Sequence, residues 1–488
     1  MNRPNIITII ADDMGSWACG KKAGNEEIIV PNLEVLANDG TFFDNFYCVS
    51  PVCSPARASI YSGSIPSNHG VFDWIASGNL DKKDLGDLSD APEFAKEEKT
   101  ISFMERITTY SEIMNEHGYR CSLSGKWHLG DSLRPQAGYS DWYTLGRGGC
   151  EYIKADIVDN GKIEFKEGYV TDMITDRALE YIDSFKDGKP HYVNVTYTAP
   201  HSPWGYEQHP QKYRDLYKEC PFQSTPDVGH HPFQIASAPV PTNQEERREY
   251  LTGYYASISA IDDGVGKIIS KLKEIGEYEN TLIIFTSDNG MNMGHHGIWG
   301  KGNGTYPLNM FESSVKVPMI ISWPNRLPKN NISFTHRSHY DIFPTLMDYL
   351  NIDKKYFENL RLPGESLRNV FENKEDDYIT VIYDEYGATR MIRDTRYKLV
   401  KRFAYGPDEF YDLTTDPNED DNLIDSEKHQ QIIGDMYRKM IHWFNKYSDE
   451  NLDGTREAVG GSGQLKLAGI YGDGQNVYRP RKEPLKFD

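Results

Sequence analysis

The sequence predicts an α/β fold: a large mixed, mostly parallel sheet sandwiched by helices, with a smaller C-terminal subdomain of antiparallel sheet plus helix. Three observations lead there. Four short apolar runs each stop abruptly at polar residues, helical segments separate these runs, and the pattern changes to short alternating strands after about Asn369.

The first run, Ile6 to Ala11, ends in Asp12-Asp13. Tyr119 to Ser124 ends in Gly125-Lys126-Trp127-His128, Tyr192 to Thr198 in Ala199-Pro200-His201, and Leu282 to Thr286 in Ser287-Asp288-Asn289-Gly290. Near-continuous apolar runs of this length suit strands covered on both faces, as in a parallel sheet. Between them, Ser111 to Glu116 is apolar on one face, with Gly118 placed to close a helix. From Arg248 to Ile275, Tyr254, Ile258, Ile261, Val265, Ile268, Ile269 and Leu272 recur at helical spacing. Alternating strands and helices imply layers, and ligands of such sheets gather at the carboxyl ends of the strands. All four polar endings are therefore expected on one rim.

Two excursions, 77–99 rich in Asp, Lys and Glu and 205–246 rich in Pro, His and Gln, read as surface loops shaping entry to that rim. Further on, Tyr378 to Tyr383, Thr389 to Arg393 and Tyr397 to Phe403 read as alternating strands, and Glu427 to Tyr447 as a helix. The Gly-rich tail from Gly454 has little apolar content and reads as an irregular strap. The expected division is a catalytic domain over 1–369 and a subdomain over 370–488.

Lys and Arg number 53 against 73 Asp and Glu, a formal charge of -20. Such a surface repels nucleic acid and anionic membranes and disfavours long polyanions. A small anionic substrate can still enter a local basic cleft. The 32 Tyr suit either a sugar-binding cleft or additional core. Cys19, Cys48, Cys53, Cys121, Cys150 and Cys220 show neither a CxxC pair nor metal-ligand spacing, and so few in so long a chain argue against a disulfide framework. The opening Met1-Asn2-Arg3-Pro4-Asn5 runs straight into a strand without the apolar core of a signal peptide. With no apolar stretch of about 18 residues, the expectation is a cytoplasmic protein off the membrane, or a periplasmic or secreted one if a leader was trimmed.

The most specific local signal is Cys53-Ser54-Pro55-Ala56-Arg57. Pro55 suits the first turn of a helix, which places Cys53 at or just before a helix N-terminus where free N–H groups favour an anion. Arg57, one turn on, reaches back toward the same place. A buried cysteine beside a capped helix would look similar. Asp12, Asp13, Asp288 and Asn289 bring three carboxylates and an amide from two distant strand ends; these hard oxygen ligands suit calcium or magnesium better than zinc. Taken separately, each pair is also a common turn or helix cap. Lys126, His128, His201 and Lys301 add cations and titratable groups, a set that fits a tetrahedral dianion held between a divalent metal and several cations.

These residues together resemble the formylglycine-dependent (type I) sulfatases of the alkaline phosphatase superfamily. The matching phrases are Ala11-Asp12-Asp13-Met14-Gly15, Cys53-Ser54-Pro55-Ala56-Arg57, Gly125-Lys126-Trp127-His128-Leu129-Gly130, Ala199-Pro200-His201, Ser287-Asp288-Asn289-Gly290, and Gly294-His295-His296-Gly297 with Trp299-Gly300-Lys301. Arg393-Asp394-Thr395-Arg396-Tyr397-Lys398 and Phe410-Tyr411-Asp412-Leu413-Thr414-Thr415-Asp416-Pro417 resemble that family's second subdomain. The resemblance implies that a maturation enzyme oxidises Cys53 to formylglycine (3-oxoalanine). One hydroxyl of the hydrated aldehyde then attacks sulfur, and the second expels sulfate from the covalent ester. It also implies calcium bound by Asp12, Asp13, Asp288 and Asn289 with residue 53 touching it, Arg57 holding the hydrate, and Lys126 bridging hydrate and sulfate. In the same way His128 is expected to be the base for the second hydroxyl, His201 the general acid, and Lys301 a sulfate ligand.

The expected substrate is a small sulfated saccharide, a glycosaminoglycan-derived mono- or disaccharide, with His69, Asp73, Trp74, Arg147 and Trp204 as candidate sugar contacts. Alternatives are a phosphonate or phosphate-ester hydrolase of the same superfamily and a non-catalytic binder of sulfated sugars. The oligomeric state is left open.

Overall fold

A computed structural model describes residues 3–372, 381–472 and 477–487. Ten strands form the main sheet, in the order Asn331–Ser333, Thr41–Phe43, Met319–Ser322, Thr281–Ser287, Asn5–Asp12, His191–Pro200, Arg120–Gly125, Asp141–Leu145, Lys154–Asp159 and Lys162–Glu167. The five strands from Thr281–Ser287 to Asp141–Leu145 are mutually parallel, and antiparallel strands flank them. Asn5–Asp12 lies at the centre, paired to Thr281–Ser287 on one side and His191–Pro200 on the other.

The alternation along the central strand explains both layers. Ile7, Ile9 and Ala11 face one way, into a core shared with the helices Pro31–Asn38, Val170–Asp183 and Gln244–Glu274. Ile6 and Ile10 face the other, toward the helices Cys53–Ser62, Tyr110–Glu116 and Ile342–Tyr349. The expected strands and both expected helices are present, shifted by a few residues at their ends. Asn243 caps the long helix through the N–H groups of Glu245 and Glu246. Thr109 and Glu112 form a capping box on Tyr110–Glu116, and Gly118 follows in a left-handed conformation.

Most of the tyrosine richness is core. Tyr61, Tyr110, Tyr139 and Tyr192 are buried around Thr8 and Asn194 and hydrogen-bond to these residues and to one another. Thr8 Oγ1 donates to Asn194 Oδ1 at 2.8 Å. These phenols satisfy a polar seam inside the sheet–helix interface.

The second sheet is antiparallel: Ile382–Tyr386, Thr389–Arg393, Tyr397–Arg402 and Glu409–Asp412. The helix Gln430–Tyr447 lays Met436, Met440 and Phe444 on it. The expected strand from Tyr378 begins at Ile382, and 378–380 lie outside the described residues. Buried ion pairs of Lys398 and Arg393 with Glu312 bind this sheet to the larger body, and Lys398 also pairs with Glu419 of its own part. All six cysteines are free, and no described helix is long and apolar enough to cross a membrane.

Candidate active site

The polar strand ends do converge. Asp12 closes the central strand, and Asp13 follows with φ of 68°. Asp288 and Asn289 follow the neighbouring strand. Lys126 and His128 follow Arg120–Gly125, with His128 at φ of 56°. Left-handed backbone at two non-glycine residues marks a place where geometry is imposed by the surroundings.

The helix Cys53–Ser62 points its first residue into this cluster, and all ten of its residues are buried. The Cys53 thiol lies 3.4 Å from Asp12 Oδ1 and 3.8 Å from Asp13 Oδ1, and Lys301 Nζ donates to it at 2.7 Å. Arg57, one turn along, donates from Nε to Asp288 Oδ2 at 2.9 Å and from Nη1 to the Lys126 carbonyl at 3.0 Å. Lys126 Nζ donates to Asp12 Oδ2 at 2.5 Å, and Lys301 Nζ donates to Asp13 Oδ1. His201 is fixed by the Ser202 carbonyl at Nδ1 and places Nε2 3.7 Å from Asp13 Oδ2.

Oxygens of Asp12, Asp13 and Asp288 all lie within 4.8 Å of one another. Asn289 donates from Nδ2 to Asp13, while its Oδ1 is buried without a partner. Three buried carboxylates and an unpartnered amide oxygen form an oxygen-rich donor set that suits a hard divalent cation. Arg57, Lys126 and Lys301 offset part of the negative charge. Burial alone would raise Asp12, but Lys126, His201 and Arg57 hold it below the usual carboxylate range. Asp13 is likewise lowered against burial by Lys301 and His201. Burial and the Asp12 charge push Asp288 up.

His128 is set as a neutral ring. Its Nε2 faces the Ile75 carbonyl at 2.9 Å, which places the proton there and leaves Nδ1 buried without a partner. Burial and the Lys126 charge push the ring well below its ordinary pKa. Gly148 makes room for it, because a Cβ at 148 would stand 2.0 Å from His128 Nε2.

A cavity of about 430 Å³ opens above this cluster, with Cys53, His128, His201 and Lys301 on its wall. Trp74 and Arg147 line it, Arg147 already carrying a paired hydrogen bond to Asp156. The structure puts the other three candidate sugar contacts elsewhere. His69 is buried, donating to or accepting from Ser59 Oγ at 3.0 Å and accepting the Val71 N–H. Asp73 is buried and saturated by Trp74, Tyr386 and Gly463. Trp204 is buried against the long helix, with its indole N–H on the Pro200 carbonyl. Proximity in sequence to the motifs placed these three near the site, but their side chains point into the core.

Sequence reasoning passed over Asn79, Asn303, Gly148, Arg479 and Lys482, which also line the cavity. Asn79 Oδ1 and Asn303 Oδ1 are buried with no partner. The signal available for the last two was a basic Arg479-Pro480-Arg481-Lys482 phrase in an acidic chain.

A family profile described as Sulfatase matches residues 4–352, and one described as N-sulphoglucosamine sulphohydrolase, C-terminal, matches residues 294–446. The chain is 24% identical over 544 aligned positions to the N-acetylglucosamine-6-O-sulfatase of Bacteroides thetaiotaomicron, covering 95% of this chain and 90% of that protein. A solved structure described as in complex with its substrate D-glucosamine-2-N,6-O-disulfate superposes with a TM-score of 0.76 at 23% identity, covering 92% of this chain and 99% of that one. The phosphonate monoester hydrolase of Agrobacterium radiobacter superposes with a TM-score of 0.69 at 20% identity, covering 92% and 97%. At such identities these two structures speak for a shared fold alone.

Proposed function

The chain belongs to the sulfatase family, enzymes that hydrolyse sulfuric esters, and from that premise we propose that it removes sulfate from a small carbohydrate, a glycosaminoglycan-derived mono- or disaccharide, through formylglycine at position 53 and a bound calcium ion. One observation carries this reading. Residue 53 begins a buried helix on the wall of the cavity, between Asp12, Asp13 and Lys301.

As a thiol, that residue is poorly suited to attack, because burial and the Asp12 charge push it well above the usual thiol range. Oxidation to the aldehyde by a maturation enzyme would supply hydroxyls in place of the thiol. A calcium ion held by Asp12, Asp13, Asp288 and Asn289 would polarise the sulfate and offset the repulsion among the carboxylates.

The remaining roles belong to side chains in view. Arg57, Lys126 and Lys301 supply fixed positive charge where the sulfate oxygens gain negative charge, and they are held in place before substrate arrives. His128, with Nδ1 unpartnered and its proton held on Nε2 by Ile75, would take a proton from the residue-53 hydroxyl. His201, anchored through Nδ1 and lining the cavity, would protonate the departing sugar oxygen.

The saccharide part of the reading has separate support. Asn79 and Asn303 present two unpartnered amide oxygens on the cavity wall, suited to sugar hydroxyls. Trp74 is half-buried on the same wall and offers a ring face. The N-acetylglucosamine-6-O-sulfatase to which this chain is similar agrees in substrate class. A phosphonate or phosphate-ester hydrolase is the second reading, since the same lysines beside residue 53 and the same oxygen donor set would suit a phosphoryl group equally.

The test is free sulfate released from sulfated mono- and disaccharides by protein whose Cys53 conversion has been verified by peptide mass. Release that disappears in Cys53→Ala and on chelation supports the reading. Converted, calcium-loaded protein that cleaves phosphate or phosphonate esters but no sulfate would establish the second.

A further inference from the structure

Resting on the saccharide-sulfatase reading, we propose that the C-terminal strap builds a second anion subsite at the mouth of the catalytic cavity, where Arg479 and Lys482 bind a carboxylate or an additional sulfate on the substrate. The enzyme would thus prefer sugars that carry a negative group beyond the ester it cleaves.

The strap is a fixed wall of the cavity. Gln464 exchanges backbone hydrogen bonds with Trp74 and Ala76 at 2.7 and 2.8 Å. The Gln464 side chain accepts the Phe72 N–H at 2.8 Å and donates to the Gly70 carbonyl at 3.1 Å. Arg479 N–H then donates to the Gly463 carbonyl at 2.9 Å. This register sets the Arg479 guanidinium over the Trp74 ring, 5.2 Å from its centroid, with Nη2 on the Ala76 carbonyl at 2.9 Å. Lys482 donates to the Ala236 carbonyl on the opposite loop.

These cations have no close ion-pair partner, although the Glu97 and Asp73 charges lie near enough to act on Arg479 and Glu93 shares the cavity wall. Arg479, Lys482 and Lys96 all line the cavity, and none has an ion pair among the described residues. The carboxylates close by are already engaged. Glu97 accepts hydrogen bonds from the N–H groups of Gly78, Asn79 and Leu80 and from the Asn79 amide, and Asp73 accepts from Trp74, Tyr386 and Gly463. Desolvation lowers both Arg479 and Lys482, and for Lys482 the charges of Arg479 and Lys96 lower it further. Like charges are therefore held together at the mouth of the cavity, in a chain whose net charge is -20. A bound anion would relieve that repulsion, and the planar guanidinium suits a carboxylate or sulfate. Trp74, Arg479 and residue 53 line the same cavity, so one sugar bound in it can present its ester to residue 53 and a second anionic group to Arg479.

The test compares three disaccharides carrying the same scissile sulfate. One is otherwise neutral, one carries a uronate carboxylate and one carries a second sulfate. The wild-type protein should show kcat/KM about tenfold or more higher for one or both anionic sugars, mainly through KM, and the advantage should shrink as salt rises. Which sugar gains identifies the source of the anion. Arg479→Ala and Lys482→Ala should each erase most of that preference and affect the neutral sugar far less, with Arg479→Lys intermediate. A thermal melt checks that each variant is folded. Calorimetric titration of Cys53→Ala with the same sugars gives the preference without turnover. Equal kcat/KM for all three sugars, or variants that lose all three equally, would overturn the subsite and leave the saccharide reading intact. No sulfate released from any sugar would overturn both.

Discussion

Asp73 accepts the backbone N–H of Gly463 at 2.9 Å, across 390 residues of chain. Its other oxygen accepts the Tyr386 hydroxyl at 2.7 Å and the Trp74 N–H at 2.9 Å. One buried carboxylate therefore ties the segment after the helix Cys53–Ser62 to the strap and to the second sheet. Asp73→Ala would leave three donors unsatisfied and should destabilise the protein by about 3 kcal/mol. It should also raise KM on anionic sugars by roughly tenfold with kcat nearly unchanged, since Arg479 depends on the strap. Urea titration together with steady-state kinetics checks both. A stable variant with wild-type KM would show that the strap does not depend on this tie.

Gly148→Ala is the narrowest test of His128. The added Cβ would meet the imidazole at 2.0 Å, and Gly148 has an ordinary backbone, so displacement of the ring is the expected consequence. A general base contributes about 10²–10⁴ in rate. The variant should lose on the order of 10² in kcat and remain close to the wild type in thermal stability. Unchanged kcat would remove His128 from the chemistry.

The difference between His128 and His69 shows which parts of the site the sequence discloses. His128 lies within a motif and His69 just beyond one. His128 follows a strand whose apolar run stops at the rim, so its place follows from strand geometry. His69 ends a short helix, Pro66–His69, whose direction depends on packing that the sequence does not display. The same holds for Trp204, which turns toward the long helix, and for Asp73. The acidic cluster was legible because four residues at two strand ends are placed by the pairing of those strands alone. Arg479 and Lys482 were not, because their position rests on the register of Gln464 against Trp74, a contact across 390 residues. The C-terminal strands were legible from alternation, whereas the tyrosines pointed equally to cleft and core. On the described wall of the cavity Trp74 is the only tyrosine or tryptophan.

His69 makes stability sensitive to acid. It accepts the Val71 N–H at Nδ1, so its proton belongs on Nε2 facing Ser59 and a second proton has no acceptor. Burial accordingly holds its pKa down to about 3. The unfolded chain takes up that proton near pH 6.5 and the folded chain does not, so this contribution is present above 6.5 and lost as pH falls toward 3. The slope is about 1.4 kcal/mol per pH unit for one histidine. Asp73, pushed up to about 6 by burial, acts in the opposite direction between about 4 and 6. Urea midpoints of wild type and His69→Gln between pH 7 and 5 should therefore converge as pH falls. Parallel curves would show that His69 protonates without penalty.

Arg57 is fully buried between Asp288 and Asp12, with Nη2 3.7 Å from Asp12. Arg57→Ala would leave buried Asp288 without its ion-pair partner and take a second cation from Asp12, a loss of about 3–5 kcal/mol in metal-free protein. Arg57→Lys keeps the charge but cannot reach Asp288 and the Lys126 carbonyl together, so a smaller loss is expected. Chemical denaturation of both variants decides the order. If Arg57→Lys were as damaging as Arg57→Ala, shape at this position would matter more than charge.

Calcium should stabilise the fold as well as support turnover. Asp12, Asp13 and Asp288 repel one another when no cation lies between them, and the Asn289 Oδ1 has no protein partner. Ligand at a hundredfold excess over its dissociation constant adds about 2.7 kcal/mol to the folded state, a rise of about 2–5 °C in a chain this long. Chelated protein should melt lower, recover on adding calcium, and recover less with magnesium, which tolerates irregular oxygen sites poorly. Asn289→Ala removes one ligand but leaves the three carboxylates, so it should lower the calcium midpoint affinity without abolishing the shift. Melting curves across a calcium titration measure this in the unconverted protein, where no turnover complicates the result. A melting temperature indifferent to chelation and to calcium would mean that Arg57, Lys126 and Lys301 alone balance the carboxylates, and the cluster would then be an ion-pair network with no metal.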